Sequence, residues 1–227
     1  IMPKIQAKYP TVSASYEGQN REAFKLINSL SSAGIPILIL IYITIAFTFR
    51  SFSQPILLFC LMPVSLIGVA WGHWIHGFPV NILSLLGVIA LIGIMVNDGL
   101  VLIGKFNNNL KQNFNFNEGL IDAGKSRFRA IFLTTATTVA GLTPLLLEKS
   151  RQAQWLKPMA ISVSYGIAFA TILTLILLPI FISLNNDLKV IFKWLVSGNY
   201  PDKEIVERAI IEKKEEQKMD QMNNPEN

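Results

Sequence analysis

Asp98 lies inside a hydrophobic stretch long enough to cross a bilayer. The segment 82–105 reads ILSLLGVIALIGIMVNDGLVLIGK, apolar up to its closing lysine except for Ser84 and the Asn97-Asp98 pair. A carboxylate at membrane depth costs roughly 2.5–3.5 kcal/mol on insertion scales, so it faces a bundle interior or a water-filled cavity and commonly serves a proton or ion pathway. A structural polar residue bonded to a neighbouring helix is the alternative. A second polar set begins at Arg127. Thr134 follows it by seven residues, and Thr137, Thr138 and Gly141 share the same helical face. Threonines in spans often bond back to their own i−4 carbonyls, but four threonines in TTATT aligned beneath an arginine suggest a hydrated seam. His73 and His76, at i and i+3, could share a metal or sit as interfacial polar groups; no third ligand lies nearby in sequence. Cys60 is the single cysteine, which excludes an internal disulfide or a cysteine metal site and reads as packing.

The elements that must hold these residues are membrane helices. The chain of 227 residues is 51% hydrophobic and 15% charged, against about 25% charged in soluble domains. Its apolar residues are blocked into five runs, at about 33–50, 55–76, 82–104, 129–147 and 158–183, each near the ~20 residues that span a hydrocarbon core. The expected fold is an all-α membrane protein, with a five-span domain over 32–184 and a charged tail over 185–227. Pro36 and Pro55 fall in first turns, where a missing N–H is tolerated, and Pro63 marks a kink in the second span. In the third span, Ser84, Gly87, Leu91, Ile94 and Asp98 form one stripe, beside a second of Gly87, Ala90, Gly93 and Asn97; small residues at this spacing let helices approach closely. Residues 105–126 read as a polar connector, with 118–125 able to form a short surface helix. The tail reads as a helix with no assigned chemistry.

Basic residues set the expected orientation. Thirteen Lys and Arg fall on the side of the C-terminus and seven on the other, which places the tail in the cytoplasm and the N-terminal segment outside. Residues 1–31 contain a strand-like TVSASY at Thr11–Tyr16 and helical spacing at Ala23, Leu26, Ile27 and Leu30. One strand cannot form a sheet alone, and residues 1–30 show no signal-peptide core. These residues therefore read as the strand-helix remnant of an extracytoplasmic domain, and the chain as part of a longer protein. No nucleophile–base set, metal-ligand cluster or phosphate loop is present in the sequence, so an enzyme is not expected.

Several strings in order resemble the second half of resistance–nodulation–division (RND) transporters, in the hydrophobe/amphiphile, AcrB-like branch. They are YPTVSASYEGQ, FRSFSQP, LLGVIALIGIMVNDGLVLI, SRFRAIFLTTATTVAGLTPLLL and LLPIFISL, covering roughly residues 5–195. The resemblance implies a proton-driven multidrug or hydrophobe efflux pump of the bacterial inner membrane. It implies that residues 1–31 close a periplasmic porter domain whose remainder lies upstream. It implies no cofactor beyond the proton-motive force, no bound metal and no nucleic acid. The implied partners are the N-terminal part of the same transporter, a homotrimer, a periplasmic adaptor and an outer-membrane channel. The family's tenth-span lysine falls at Asn97 and the following asparagine at Asp98. Its eleventh-span arginine falls on Arg127 and its threonine on Thr134. Asn97, Asp98, Arg127 and Thr134 are thus the expected proton relay, with Thr137 and Thr138 in the hydrated seam. Replacing the lysine by Asn97 while gaining Asp98 shifts the site's charge by about two units, so a relay based on lysine release cannot operate unmodified. A Sec-translocase accessory subunit of the SecD/SecF kind, which shares this ancestry, is the competing assignment; the FRSFSQP loop and the TTATTVAG seam fit the efflux branch better.

Overall fold

The computed structural model describes residues 19–198 and 201–223. The chain divides into two compact units, Ile1–Leu40 and Ile41–Asn227. Six α-helices follow in order: α1 Gln19–Phe49, α2 Ser53–His76, α3 Ile82–Lys111, α4 Phe116–Leu147, α5 Arg151–Ser197 and, after a 3-10 turn at Glu204–Val206, α6 Arg208–Asn223. Among the described residues there is no strand. The expected strand at Thr11–Tyr16 lies outside them. The first five helices are each long and apolar enough to cross a membrane.

Local sequence sets most of the boundaries. Asn81 and Ser84 form a reciprocal capping box at the start of α3: Ser84 N–H donates to Asn81 Oδ1 at 3.0 Å and Asn81 N–H to Ser84 Oγ at 3.1 Å. Gly77, with φ of 66°, closes α2 in the left-handed conformation that favours glycine. Ser150 caps α5 by accepting from Ala153 N–H at 3.3 Å.

Four helices are longer than the apolar runs indicate, α3 ending at Lys111 rather than at 104. Helix α1 starts at Gln19, so Pro36 sits in its interior rather than in a first turn. Helix α4 absorbs the expected surface helix and the fourth span into one 32-residue element. No breaker separates EGLIDAGK from the span, and Phe116, Leu120 and Ala123 are buried. Asn109 Nδ2 ties α3 to this segment by donating to Gly119 O and to Asp122 Oδ2, both at 2.9 Å. Helix α5 runs 47 residues, about 70 Å at 1.5 Å per residue, well beyond the expected end at 183.

Within the second unit, α5 is the central element and packs on α2, α3 and α4. Leu58 and Leu61 of α2, Leu91, Leu102 and Phe106 of α3, and Ile167 and Leu178 of α5 form its core. Small residues allow these contacts. A Cβ at Gly68 would stand 2.7 Å from Tyr165 O, and one at Gly87 2.7 Å from Met159 O, closer than real Cβ contacts, so only glycine admits the neighbouring backbone there. The outward faces carry Ile56, Ile67, Trp71, Leu133, Ile172 and Ile176 in the open. That is the pattern of helices whose solvent is lipid or further protein.

Candidate functional site: the polar faces of α3 and α4

Helix α3 separates its two stripes. Ser84, Gly87, Leu91 and Asp98 are buried, Asp98 at 6% exposure. Ala90, Gly93 and Asn97 face outward, and nothing lies within 4 Å of a Cβ built at Gly93. Adjacent residues on a helix diverge by about 100°, so Asn97 and Asp98 serve different surfaces. Among the described residues Asp98 is the only acid inside the apolar spans. No described side chain forms an ion pair with it.

The seam on α4 is placed outward as well. Thr134 and Thr137 are exposed, Thr138 is half-buried, and the space around Gly141 is empty. Their hydroxyls bond to their own helix: Thr134 donates to Ala130 O at 3.0 Å, Thr137 to Leu133 O at 2.9 Å, and Thr138 to Thr134 O at 2.8 Å. This ordinary back-bonding satisfies each hydroxyl without a partner helix. Arg127 is half-buried, and its Nε is buried without a hydrogen-bond partner. Asn97, Arg127, Thr134 and Thr137 therefore lie on open or half-open surface of α3 and α4, while Asp98 lies inside. No hydrogen bond joins Asp98 to the threonines.

The inner polar contacts fall on residues the spacing argument passed over. Thr135, buried, shares a hydroxyl–hydroxyl hydrogen bond with Thr171 of α5. Thr174 and Ser164 of α5 are also buried, and Ser164 Oγ has no partner. The signal was present: Thr135 stands four residues after Ile131, and both are buried on the same face. Alignment with Arg127 pointed instead to Thr134, on the neighbouring face about 100° away. Gln54 and Asn107 form a reciprocal amide pair at 2.9 and 3.1 Å between the start of α2 and the last turns of α3.

The two histidines do not share a ligand position. His73 is buried, with Nδ1 3.0 Å from Phe78 O and Nε2 3.0 Å from Ser162 Oγ, while His76 Nε2 lies 3.0 Å from Tyr165 OH. Each ring is spent on fastening the end of α2 to its surroundings. Among the described residues no group of three His, Cys, Asp or Glu could hold a metal ion. Cys60 is exposed rather than packed.

Known proteins resemble this chain over much of its length. The AcrB/AcrD/AcrF family matches residues 1–185. The swarming motility protein SwrC of Bacillus subtilis (strain 168) is 27% identical over 170 residues, covering 74% of this chain and 16% of its own length. The cobalt-zinc-cadmium resistance protein CzcA of Cupriavidus metallidurans is 27% identical over 143 residues, 63% of this chain and 14% of its own length. The multidrug resistance protein MdtC of Proteus mirabilis (strain HI4320) is 23% identical over 171 residues, 75% of this chain and 17% of its own length. The chain thus spans about a sixth of the length of these relatives. A crystal structure of a heavy metal efflux pump shares the fold, with a TM-score of 0.64 and 23% identity over 81% of this chain and 19% of the pump chain. Family members are transporters rather than enzymes, and a Sec-translocase subunit is not favoured. With its match running from the first residue to 185, the chain belongs to the AcrB/AcrD/AcrF family of RND efflux transporters.

Proposed function

We propose that this chain forms part of the membrane domain of a proton-driven efflux pump and that Asp98 is its titrating group. The observation that carries the reading is Asp98 itself: a carboxylate at 6% exposure inside an apolar helix, with no cation paired to it among the described residues. Burying an uncompensated charge is too costly to keep without use. Asn97 orients the neighbouring backbone and, with Thr134, Thr137 and Thr138, lines the open side of a hydrated path completed by the first half of the transporter. Arg127, with its unpartnered Nε, ends that path. Protons are the only coupling species required. The working pump is a homotrimer in the bacterial inner membrane, joined to a periplasmic adaptor and an outer-membrane channel, with residues 1–31 on the periplasmic side and the tail in the cytoplasm.

The cargo proposed is a hydrophobic or amphiphilic compound, from the resemblance of the motifs and from MdtC. CzcA and the heavy metal efflux pump favour divalent cations as the second reading. Accumulation of a hydrophobic dye and of zinc, measured in cells expressing the full-length transporter with and without Asp98→Asn, tests both readings. A variant that loses dye export supports the first cargo and one that loses only zinc export the second. A variant that loses neither removes Asp98 from the mechanism.

Orientation has its own test. In a Cys60→Ser background, an impermeant thiol reagent should label Gln152→Cys and should not label Asn117→Cys, both positions being exposed. The reverse pattern would invert the topology.

A further inference from the structure

Residues after 185 show only interleaved charges in the sequence, yet all but one of the ion pairs among the described residues involve them. At the start of α6, Glu207 is 2% exposed. Its Oε1 accepts from Asn186 Nδ2 at 2.8 Å, and its two oxygens accept from Lys189 Nζ at 3.3 and 3.2 Å. Asn186 Nδ2 also donates to Lys203 O at 2.9 Å, and Lys203 pairs with Asp187 at 2.8 Å. These contacts root the tail on the extension of α5.

Five residues further on, Glu212 divides its carboxylate between two other elements. Oε1 lies 2.9 Å from Arg50 Nη1 in the α1–α2 turn, and Oε2 lies 2.8 Å from Lys111 Nζ in the last turn of α3. Lys213 adds a second hold on α3 by donating to Lys111 O at 2.6 Å and to Asn113 Oδ1 at 2.8 Å. The carbonyls that end a helix lack intrahelical donors, and a cation there is favourable. Arg50 and Asn113 both have positive φ, 47° and 67°, a conformation that non-glycine residues hold only when their surroundings fix it. Ala209 and Ile210 pack into the main core beside them.

We infer that α6 is a strap that couples the α1–α2 turn to the end of α3 through the single carboxylate of Glu212. Helix α3 also carries Asp98, 13 residues and about 20 Å before Lys111. A displacement of α3 along its axis therefore loads the strap and is transmitted to the Arg50 turn. The inference does not rest on proton coupling. Its readout is local opening rather than export, so either idea can fail without the other.

Hydrogen–deuterium exchange of the full-length transporter in lipid nanodiscs tests it, following residues 50–54 and 110–115. Arg50→Gln removes a contact at one end only. It should raise exchange at the other end, 110–115, by roughly threefold, the scale of one exposed ion pair. Glu212→Gln should raise both segments together. The swap of Arg50→Glu with Glu212→Arg should bring residues 50–54 back toward the parent value. Raising salt to about 1 M on the unaltered protein should open both segments in parallel, because screening then acts within about 3 Å; this arm decides the matter if a variant fails to assemble. Exchange that rises only near residue 50 in Arg50→Gln, or salt-insensitive exchange at both segments, would overturn the strap.

Discussion

Two acids of the tail and the one acid inside α3 are treated in opposite ways. Glu207 and Glu212, in the tail, are surrounded by cations and amides that account for their oxygens. Asp98, in α3, is as secluded as many core residues and has no paired charge among the described residues. Partnered acids fix geometry, because protonating them would forfeit several contacts at once. An acid without a fixed partner is free to exchange its proton as its surroundings change. The contrast separates residues that hold the bundle from a residue able to work in it.

The largest effect should come from breaking the partnered side. Glu207→Leu leaves Lys189 and Asn186, three residues apart on α5, without the carboxylate they share. It should cost about 2–3 kcal/mol, somewhat below a fully buried pair because Lys189 is partly exposed. Thermal unfolding of the purified full-length protein reads this as a lowered midpoint, while the pH dependence of residual export should be unchanged. A midpoint equal to the parent's would make Glu207 a bystander.

A smaller pair of variants sharpens the comparison within the membrane. Thr135→Val strands the Thr171 hydroxyl between α4 and α5 and should cost about 0.6–1.5 kcal/mol, the range of interhelical hydrogen bonds in membranes. Thr134→Val removes only a bond to its own helix and should leave stability within about 0.5 kcal/mol, yet it should slow export if the outward face lines the path. Equal effects of the two on both measurements would erase the distinction between inner and outer polar faces.

These two threonines also show what the sequence could disclose. Apolar run lengths located five helices, and the family motifs located α3 and α4 as the polar pair. Small residues at helical spacing did not pick the inner stripe of α3: Ala90 and Gly93 lie outward with Asn97, while Ser84, Gly87, Leu91 and Asp98 are buried. The choice of face on α4 did not follow either. Both faces of TTATT carry threonine, and only the arrangement of α5, set by distant contacts such as Gly68 on Tyr165 and Phe169, decides which is buried. Helix ends were lost for a related reason. Hydropathy reports where lipid would end, whereas α4 and α5 continue because Phe116, Leu120, Val190 and Asn186 find partners beyond that limit. The tail was opaque because interleaved charges read as a solvated helix until their partners at Arg50 and Lys111 are known.

The smallest effect concerns acid. The Lys111 ammonium bonded to Glu212, helped by Arg50 and Arg208, holds the Glu212 carboxyl below the ordinary glutamate range despite partial burial. Glu216 also approaches Lys111, at 3.9 Å. A depressed carboxylate contributes stability that is present above its unfolded value and is lost as pH falls through the lower folded value. The strap should therefore stay closed from neutral pH down to about 5 and loosen only below the usual glutamate value of about 4.3. Exchange at residues 110–115 that climbs already at about pH 6 would contradict this assignment of the charges.

The central claim is that Asp98 exchanges protons during turnover. Asp98→Asn keeps the shape and hydrogen-bonding capacity of the side chain and removes its titration. In the full-length transporter, reconstituted in vesicles with an imposed proton gradient, proton flux coupled to export should vanish across about pH 6 to 8, with assembly and unfolding midpoint retained and Asn97→Ala milder. Export and coupled proton flux at the parent rate in Asp98→Asn over that range would make Asp98 a structural residue and contradict the claim.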